Sequence, residues 1–143
     1  MAEAQKSRVL FVCIGNACRS PMAEAIARQH ASDVIEPSSA GISPLGRLAK
    51  TTEQTLLANG YSVEELHSKP LHREILQKVD LVVNLSGESL DAFGDHTAKI
   101  EDWPIADPYG EDPATYQRIL EELETRVLLL AARLRSHRRT ATV

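Results

Sequence analysis

Residues 8–27 read RVLFVCIGNACRSPMAEAIA, and the chain's topology can be worked out from them. Residues 8–13 are a short run rich in apolar β-branched and aromatic side chains, and the run gives way at the turn-forming pair Gly15-Asn16. That is the pattern of a buried strand entering a loop. Ser20-Pro21 then supplies a helix start, with Ser20 as N-cap and Pro21 at the first helical position, and Met22, Ala23, Ile26 and Ala27 recur at helical spacing. A strand, a tight loop and a helix open a parallel α/β unit.

The alternation continues outward from there. Val34-Ile35 ahead of Ser38-Ser39-Ala40-Gly41 reads as a short strand and loop, and residues 48–58 read as a helix closed by Asn59-Gly60. Residues 70–78 are read as a second short helix. Residues 79–85, VDLVVNL, form the clearest internal strand, apolar enough for a strand covered on two sides. A polar connection leads to a weaker strand at residues 99–103. A long helix follows, capped by Asp112 and started by Pro113, with Ile119, Leu120, Leu123, Val127, Leu130, Ala131 and Leu134 on one face. The expected fold is α/β in three layers: a four-stranded parallel sheet with helices on both faces and ligands at the carboxyl ends of the strands. Residues 1–143 are expected to form one domain, with 1–7 and 137–143 as flexible tails.

Composition narrows the function. With 143 residues and 43% hydrophobic content the chain can bury a core without disulfides or a structural metal. Sixteen Lys and Arg against 20 Asp and Glu give a net charge of −4, which argues against a nucleic-acid partner. The basic cluster Arg133, Arg135, His137, Arg138 and Arg139 is the exception and reads as a solvated end. No apolar run approaches the roughly 18 residues of a membrane span, and the start lacks a signal-peptide layout. A cytoplasmic protein without a membrane partner is the expectation. Cys13 and Cys18 lie too close together to resemble a secreted disulfide framework and read as thiols.

The loop Cys13, Ile14, Gly15, Asn16, Ala17, Cys18, Arg19, Ser20 lies where a strand's carboxyl end meets a helix N-terminus. Successive N–H groups there can point inward as a nest, and the helix start adds partial positive charge, so the loop is expected to bind a phosphate-like anion. Gly15 and Asn16 accept the left-handed backbone such a loop requires. No Gly-Lys-Ser/Thr follows, so this is not a nucleotide-binding Walker loop. It adds a thiol at its start and a guanidinium at its end. Donors that attract an oxyanion also stabilise a thiolate at Cys13. The planar fork of Arg19 matches two oxygens of a phosphoryl group, and Ser20 can hydrogen-bond the sulfur while capping the helix. A cysteine ending a buried strand is more often a small core residue. Cys-x5-Arg-Ser/Thr arises by chance at roughly one cysteine in a hundred with average residue usage, and its place at a strand–loop–helix junction favours the functional reading. Asp107-Pro108-Tyr109-Gly110 reads by itself as a β-turn with Asp first, Pro second and Gly fourth.

The segment CIGNACRSPMAEA resembles the low-molecular-weight protein-tyrosine-phosphatase family, whose loop is C-x-G-N-x-C-R-S-P. The likeness runs along the chain through Ser39-Ala40-Gly41, His67-Ser68-Lys69-Pro70-Leu71, the strand ending at Leu85, and Asp107-Pro108-Tyr109. It implies a phosphatase, most readily of protein phosphotyrosine or small aryl phosphates, inhibited by phosphate-like anions and needing neither metal nor cofactor. It assigns Cys13 as nucleophile, Arg19 as phosphate clamp and Asp107 as general acid. Ser20 becomes the stabiliser of the departing thiolate, Asn16 and His67 supports of the loop, and Tyr109 the aromatic neighbour of the substrate. Cys18 reads either as a packing residue or as a thiol that captures oxidised Cys13.

Two departures bear on substrate. Ala17 matches neither the bulky aliphatic residue of tyrosine-type members nor the Thr of related protein-arginine phosphatases, and residues 42–46 lack an aromatic wall. Arsenate reductases share the fold and loop, but their thioredoxin-coupled members relay through later cysteines, and residues 86–97 contain none; a small-thiol acceptor is the remaining route. Phosphocarrier modules that use a cysteine loop lack counterparts of Arg19 and Asp107. Thiolate attack assisted by a carboxylic acid requires one group ionised and the other protonated, so activity is expected to follow a bell-shaped pH profile peaking on the acid side of neutral. A rate that stays flat across neutral pH would contradict the mechanism.

Overall fold

The computed structural model describes residues 6–94 and 97–141. The described residues form four strands and four helices, in the order β1 (Ser7–Cys13), α1 (Arg19–His30), β2 (Ile35–Gly41), α2 (Lys50–Ala58), α3 (Arg73–Gln77), β3 (Leu81–Asn84), β4 (Lys99–Asp102) and α4 (Pro113–Ala141). All pairings are parallel and the sheet order is β2-β1-β3-β4. The expected architecture is therefore present.

Strand pleating explains why residues 8–13 are almost wholly apolar. Val9, Phe11 and Cys13 face the larger core, shared with α1, α2 and α4, while Leu10 and Val12 face a smaller one closed by Leu71, Leu76, Leu90 and Ala98. Phe11 is fully buried and meets Trp103 with ring centroids 6.1 Å apart. The two faces differ in cover: three helices on one, short α3 and a 3-10 turn at Asp91–Phe93 on the other.

Several boundaries differ from the sequence reading. β2 extends through Gly41 rather than ending before Ser38, and it includes Pro37, which an edge strand tolerates because one side needs no partner. Helix α1 begins at Arg19 with Cys18 at the N-cap, so Pro21 is its third residue and Ser20 does not cap it. Asp112 does cap α4, its Oδ1 accepting from the Thr115 N–H at 2.9 Å and from Thr115 Oγ1 at 2.7 Å.

Regular structure reaches into both of the segments expected to be tails. Ser7 already belongs to β1, its N–H bonded to Val34 O, and α4 remains helical to Ala141. Residues 1–5 and 142–143 lie outside the described ones. The basic cluster is partly docked rather than solvated: Arg135 grips Asp33 through Nε and Nη2, both at 2.8 Å, and Arg138 Nη1 donates to Asp33 O at 2.6 Å. Among the described residues no helix is long and apolar enough to cross a membrane.

The hydrogen bonds from Arg135 hold the Asp33 carboxyl down at about 2 against an ordinary 3.8. Depression of the folded-state value means that the pair stabilises the fold above the unfolded carboxyl's range, and that this contribution fades as pH falls towards 2. Both side chains remain partly exposed, so the pair contributes below about 1 kcal/mol. Asp33→Asn is expected to lower urea stability by about 0.5 kcal/mol at neutral pH, and the difference from wild type should shrink as the pH is lowered below 4. An equal loss at neutral and acid pH would remove the ion pair as its cause.

Candidate active site

Between Cys13 and Arg19 the chain makes one tight circuit, and its outer layer of hydrogen bonds determines which way the peptides face. The carbonyls of Cys13, Ile14 and Gly15 accept the N–H groups of Ile42, Ser43 and Leu45 at 3.1, 2.8 and 3.0 Å. Ser68 Oγ also donates to Gly15 O, while Ala17 O accepts from Ala49 N–H and Thr52 Oγ1. With the carbonyls turned outward, the N–H groups of residues 14–20 have no acceptor among the described residues. They form an inward nest that the N-terminus of α1 reinforces. Asn16 makes the turn possible, as the one non-glycine described with positive φ, at 47°. Gly41 lets it sit close to β2: a Cβ there would lie 2.8 Å from both Asn16 N and Ile14 O.

Buried Asn16 is wired in a single direction. Its Oδ1 accepts from the Lys69 N–H at 2.9 Å, which can only donate, so Nδ2 must face Ser20 Oγ at 2.8 Å and Ser39 Oγ at 3.0 Å. Ser39 accepts from Asn16 and passes its own proton to Glu24 Oε1 at 2.5 Å; Glu24 is buried and paired with Arg28 at 2.8 Å. Ser20 likewise accepts from Asn16, which leaves its hydroxyl proton for Cys13 Sγ at 2.9 Å. That is the arrangement a thiolate requires. The hydroxyl expected to cap the helix is thus committed to the sulfur.

His67 does not support the loop as expected. Its residue is exposed, and the place on Asn16 Oδ1 is taken by the main chain of Lys69. The sequence reading gave no role to Ser39 and Gly41, which enter it only as part of the likeness, and none to Glu24 or Thr52. Glu24 carried a readable signal: it is a charged residue on the same helical row as Ser20, four positions before Arg28.

Arg19 is buried and fixed through one arm, Nη1 donating to Leu85 O at 2.5 Å and Ile105 O at 2.9 Å. Nη2 lies 3.6 Å from Asp107 Oδ2, and Nε is buried with no partner. An unpaired buried guanidinium N–H is costly unless a ligand satisfies it. Asp107 is half-exposed, and its Oδ1 accepts from the Tyr109 N–H at 3.0 Å. The turn here is one residue later than the sequence suggested. It runs from Pro108 O to the Glu111 N–H, so Gly110 occupies the third position, where its φ of +81° is needed.

Cys13, Arg19 and Asp107 open onto one cavity of about 250 Å³, with Cys18 in its wall and Leu45 and Tyr109 exposed at its rim. Leu45 supplies apolar surface where an aromatic wall was missing from residues 42–46. Cys18 is packed rather than poised: burial pushes its thiol up, and Sγ lies 3.5 Å from Tyr116 Oη. Among the described residues no group of three or more His, Cys, Asp or Glu could hold a metal ion.

A parallel α/β sheet whose first loop joins a thiol to a buried guanidinium defines a cysteine-dependent enzyme of phosphoryl-type oxyanions. The chain belongs to the low molecular weight phosphotyrosine protein phosphatase family, whose description matches residues 8–140. It is 31% identical to arsenate reductase 1 of Bacillus cereus, over 85% of this chain and 92% of that protein. It is equally 31% identical to a probable low molecular weight protein-tyrosine-phosphatase, EpsP, of Ralstonia nicotianae, over 90% and 96%. The solved structure of an arginine phosphatase mutant with a phosphorylated active-site serine superposes with a TM-score of 0.83 at 27% identity, covering 92% of this chain and 98% of that one.

Gly41→Ala should test the packing of the loop, because the new methyl meets main-chain atoms that cannot rotate away. The expected loss is about 2 kcal/mol, with a weaker rise in melting temperature on adding inorganic phosphate. Gly46→Ala meets nothing within 4 Å and strains only its own φ of +87°, so the phosphate response should survive there. An unchanged phosphate response in Gly41→Ala would refute the contact.

Proposed function

We propose that the chain is a protein phosphatase acting on phosphotyrosine through a cysteinyl-phosphate intermediate. The observation that carries this reading is the unpaired, buried Nε of Arg19 in the cavity that holds Cys13. With Nη1 committed to two carbonyls, Nε and Nη2 form a pre-oriented fork, and the free N–H groups of residues 14–20 complete a cradle for three equatorial oxygens. A carboxylate substrate would leave part of that cradle unfilled.

In the first step the Cys13 thiolate attacks phosphorus while protonated Asp107 gives its proton to the leaving oxygen. The sulfur–phosphorus bond forms as the ester bond breaks, and the departing alcohol leaves neutral. Water then attacks the phosphorus of the cysteinyl phosphate with Asp107 as base. The bond to sulfur breaks, and the Ser20 hydroxyl receives the developing thiolate. Inorganic phosphate is the product.

Leu45 and Tyr109 favour an aryl ester. They offer apolar flanks at the rim, where a tyrosine ring would stand if its phosphate reached the cradle. A disulfide relay of the arsenate-reducing kind is disfavoured by the chain's two cysteines, since Cys18 is held as a thiol by burial and thiolates are the attacking species.

Turnover of p-nitrophenyl phosphate, a phosphotyrosine peptide, a phosphoarginine peptide and arsenate separates the readings. The phosphotyrosine peptide should give the highest kcat/KM of the two phosphopeptides. Cys13→Ser should lower kcat by at least about 10⁴-fold, and Asp107→Asn by about 10²- to 10⁴-fold. Faster turnover of phosphoarginine or arsenate would overturn the tyrosine assignment, and an inert wild type towards aryl phosphate would overturn the phosphatase reading.

A further inference from the structure

Beside the catalytic cavity, and sharing Leu45 and Tyr109 with it as a common wall, lies a second and wider groove of about 610 Å³. Its outer side carries Arg47 and Lys50, exposed, and neither pairs with a carboxylate among the described residues. Among the described residues Glu53 is the one acid that lines it. The segment after β2 supplies most of its lining, and Tyr109, Gly110 and Tyr116, which follow β4, supply the rest. A separate groove of about 680 Å³, at the ends of β3 and β4, carries Glu88, Asp91 and Asp102. The two cations thus stand beside the catalytic cavity, within a chain whose net charge is −4.

We propose that the groove beyond Leu45 and Tyr109 is a subsite for an acidic side chain flanking the phosphorylated residue of a protein substrate, with Arg47 and Lys50 as its specificity-determining residues. The inference rests on the phosphatase reading above and adds the substrate's sequence context. A tyrosine whose phosphate occupies the loop leaves the cavity between Leu45 and Tyr109, so its neighbours in the peptide emerge where the two spaces meet. A carboxylate there gains two solvated cations with no competing internal partner, and Glu53 repels it weakly from the groove's edge. Such pairs are individually modest and salt-sensitive, and here they act together next to an anchored phosphate. A basic flanking residue would meet the same two cations and be rejected, so the groove discriminates by repulsion as well as attraction.

The test compares kcat/KM for three phosphotyrosine peptides that differ only in their flanking positions, carrying Glu, Gln or Lys on both sides, with p-nitrophenyl phosphate as the unflanked reference. For the wild type the Glu peptide should exceed the Gln peptide by about fivefold, chiefly through KM, and the Lys peptide should be the poorest. In Arg47→Glu/Lys50→Glu the order should invert, while kcat/KM for p-nitrophenyl phosphate stays within about twofold, a change too small for any loss of the catalytic machinery. Raising the salt should compress the wild-type differences. Equal rates for the three peptides, or a Glu preference that persists in the double variant, would overturn the subsite and leave the phosphatase standing. Failure of the wild type on p-nitrophenyl phosphate would instead overturn both.

Discussion

The site depends on a single inverted peptide. A loop of five residues between a strand and a helix can present its N–H groups to a common centre only if the backbone crosses into the left-handed region part-way, and that conformation is unfavourable for any residue with a side chain. Asn16 adopts it because each of its amide atoms is bound in the turned position: Oδ1 by the Lys69 main chain, Nδ2 by two serines. The same amide that stabilises the turn sets the polarity of the Ser20 hydroxyl at the sulfur. Conformation and reactivity are therefore one constraint, and the charged pair Glu24–Arg28 behind Ser39 anchors it outside the cavity.

Arg19 completes the constraint from the other end. A lysine could supply the charge, but one flexible ammonium could not hold two main-chain carbonyls and still present a second, fixed donor edge. Immobilising Nη1 on Leu85 and Ile105 ties the ends of the third and fourth strand regions to the loop after the first. The cradle is thus assembled from three strand ends before an anion arrives, and little of it needs to be ordered on binding.

Much of this was legible in the sequence, for a physical reason. Residues 9–13 are apolar on both pleat faces because both faces are covered, and residues 13–20 carry residue types whose backbone and charge suit one task. Where the reading slipped, local chemistry had two uses and tertiary structure chose the other. Ser20 suits both a helix cap and a bond to the sulfur, and only the second is made, at 2.9 Å. Asp107-Pro108-Tyr109-Gly110 contains a turn, but the Asp107 side chain took the first hydrogen bond and moved the turn on by one. His67 lost its place to a main-chain N–H that no side-chain pattern reveals. The basic cluster near residue 135 found Asp33, an acid more than a hundred positions earlier. Long-range pairs of this kind leave no local trace.

The length of α4 has a practical corollary. The helix starts near the pocket, where Tyr116 meets Cys18, and its last turns reach Asp33, just before β2 begins. At 29 residues it spans about 44 Å, against about 23 Å for a seven-residue strand. It runs from the catalytic end of the sheet to the opposite end and beyond. An anchor attached there, to a bead, a sensor chip or a fused reporter, would stand clear of the mouth and leave a bulky polypeptide unobstructed access to it.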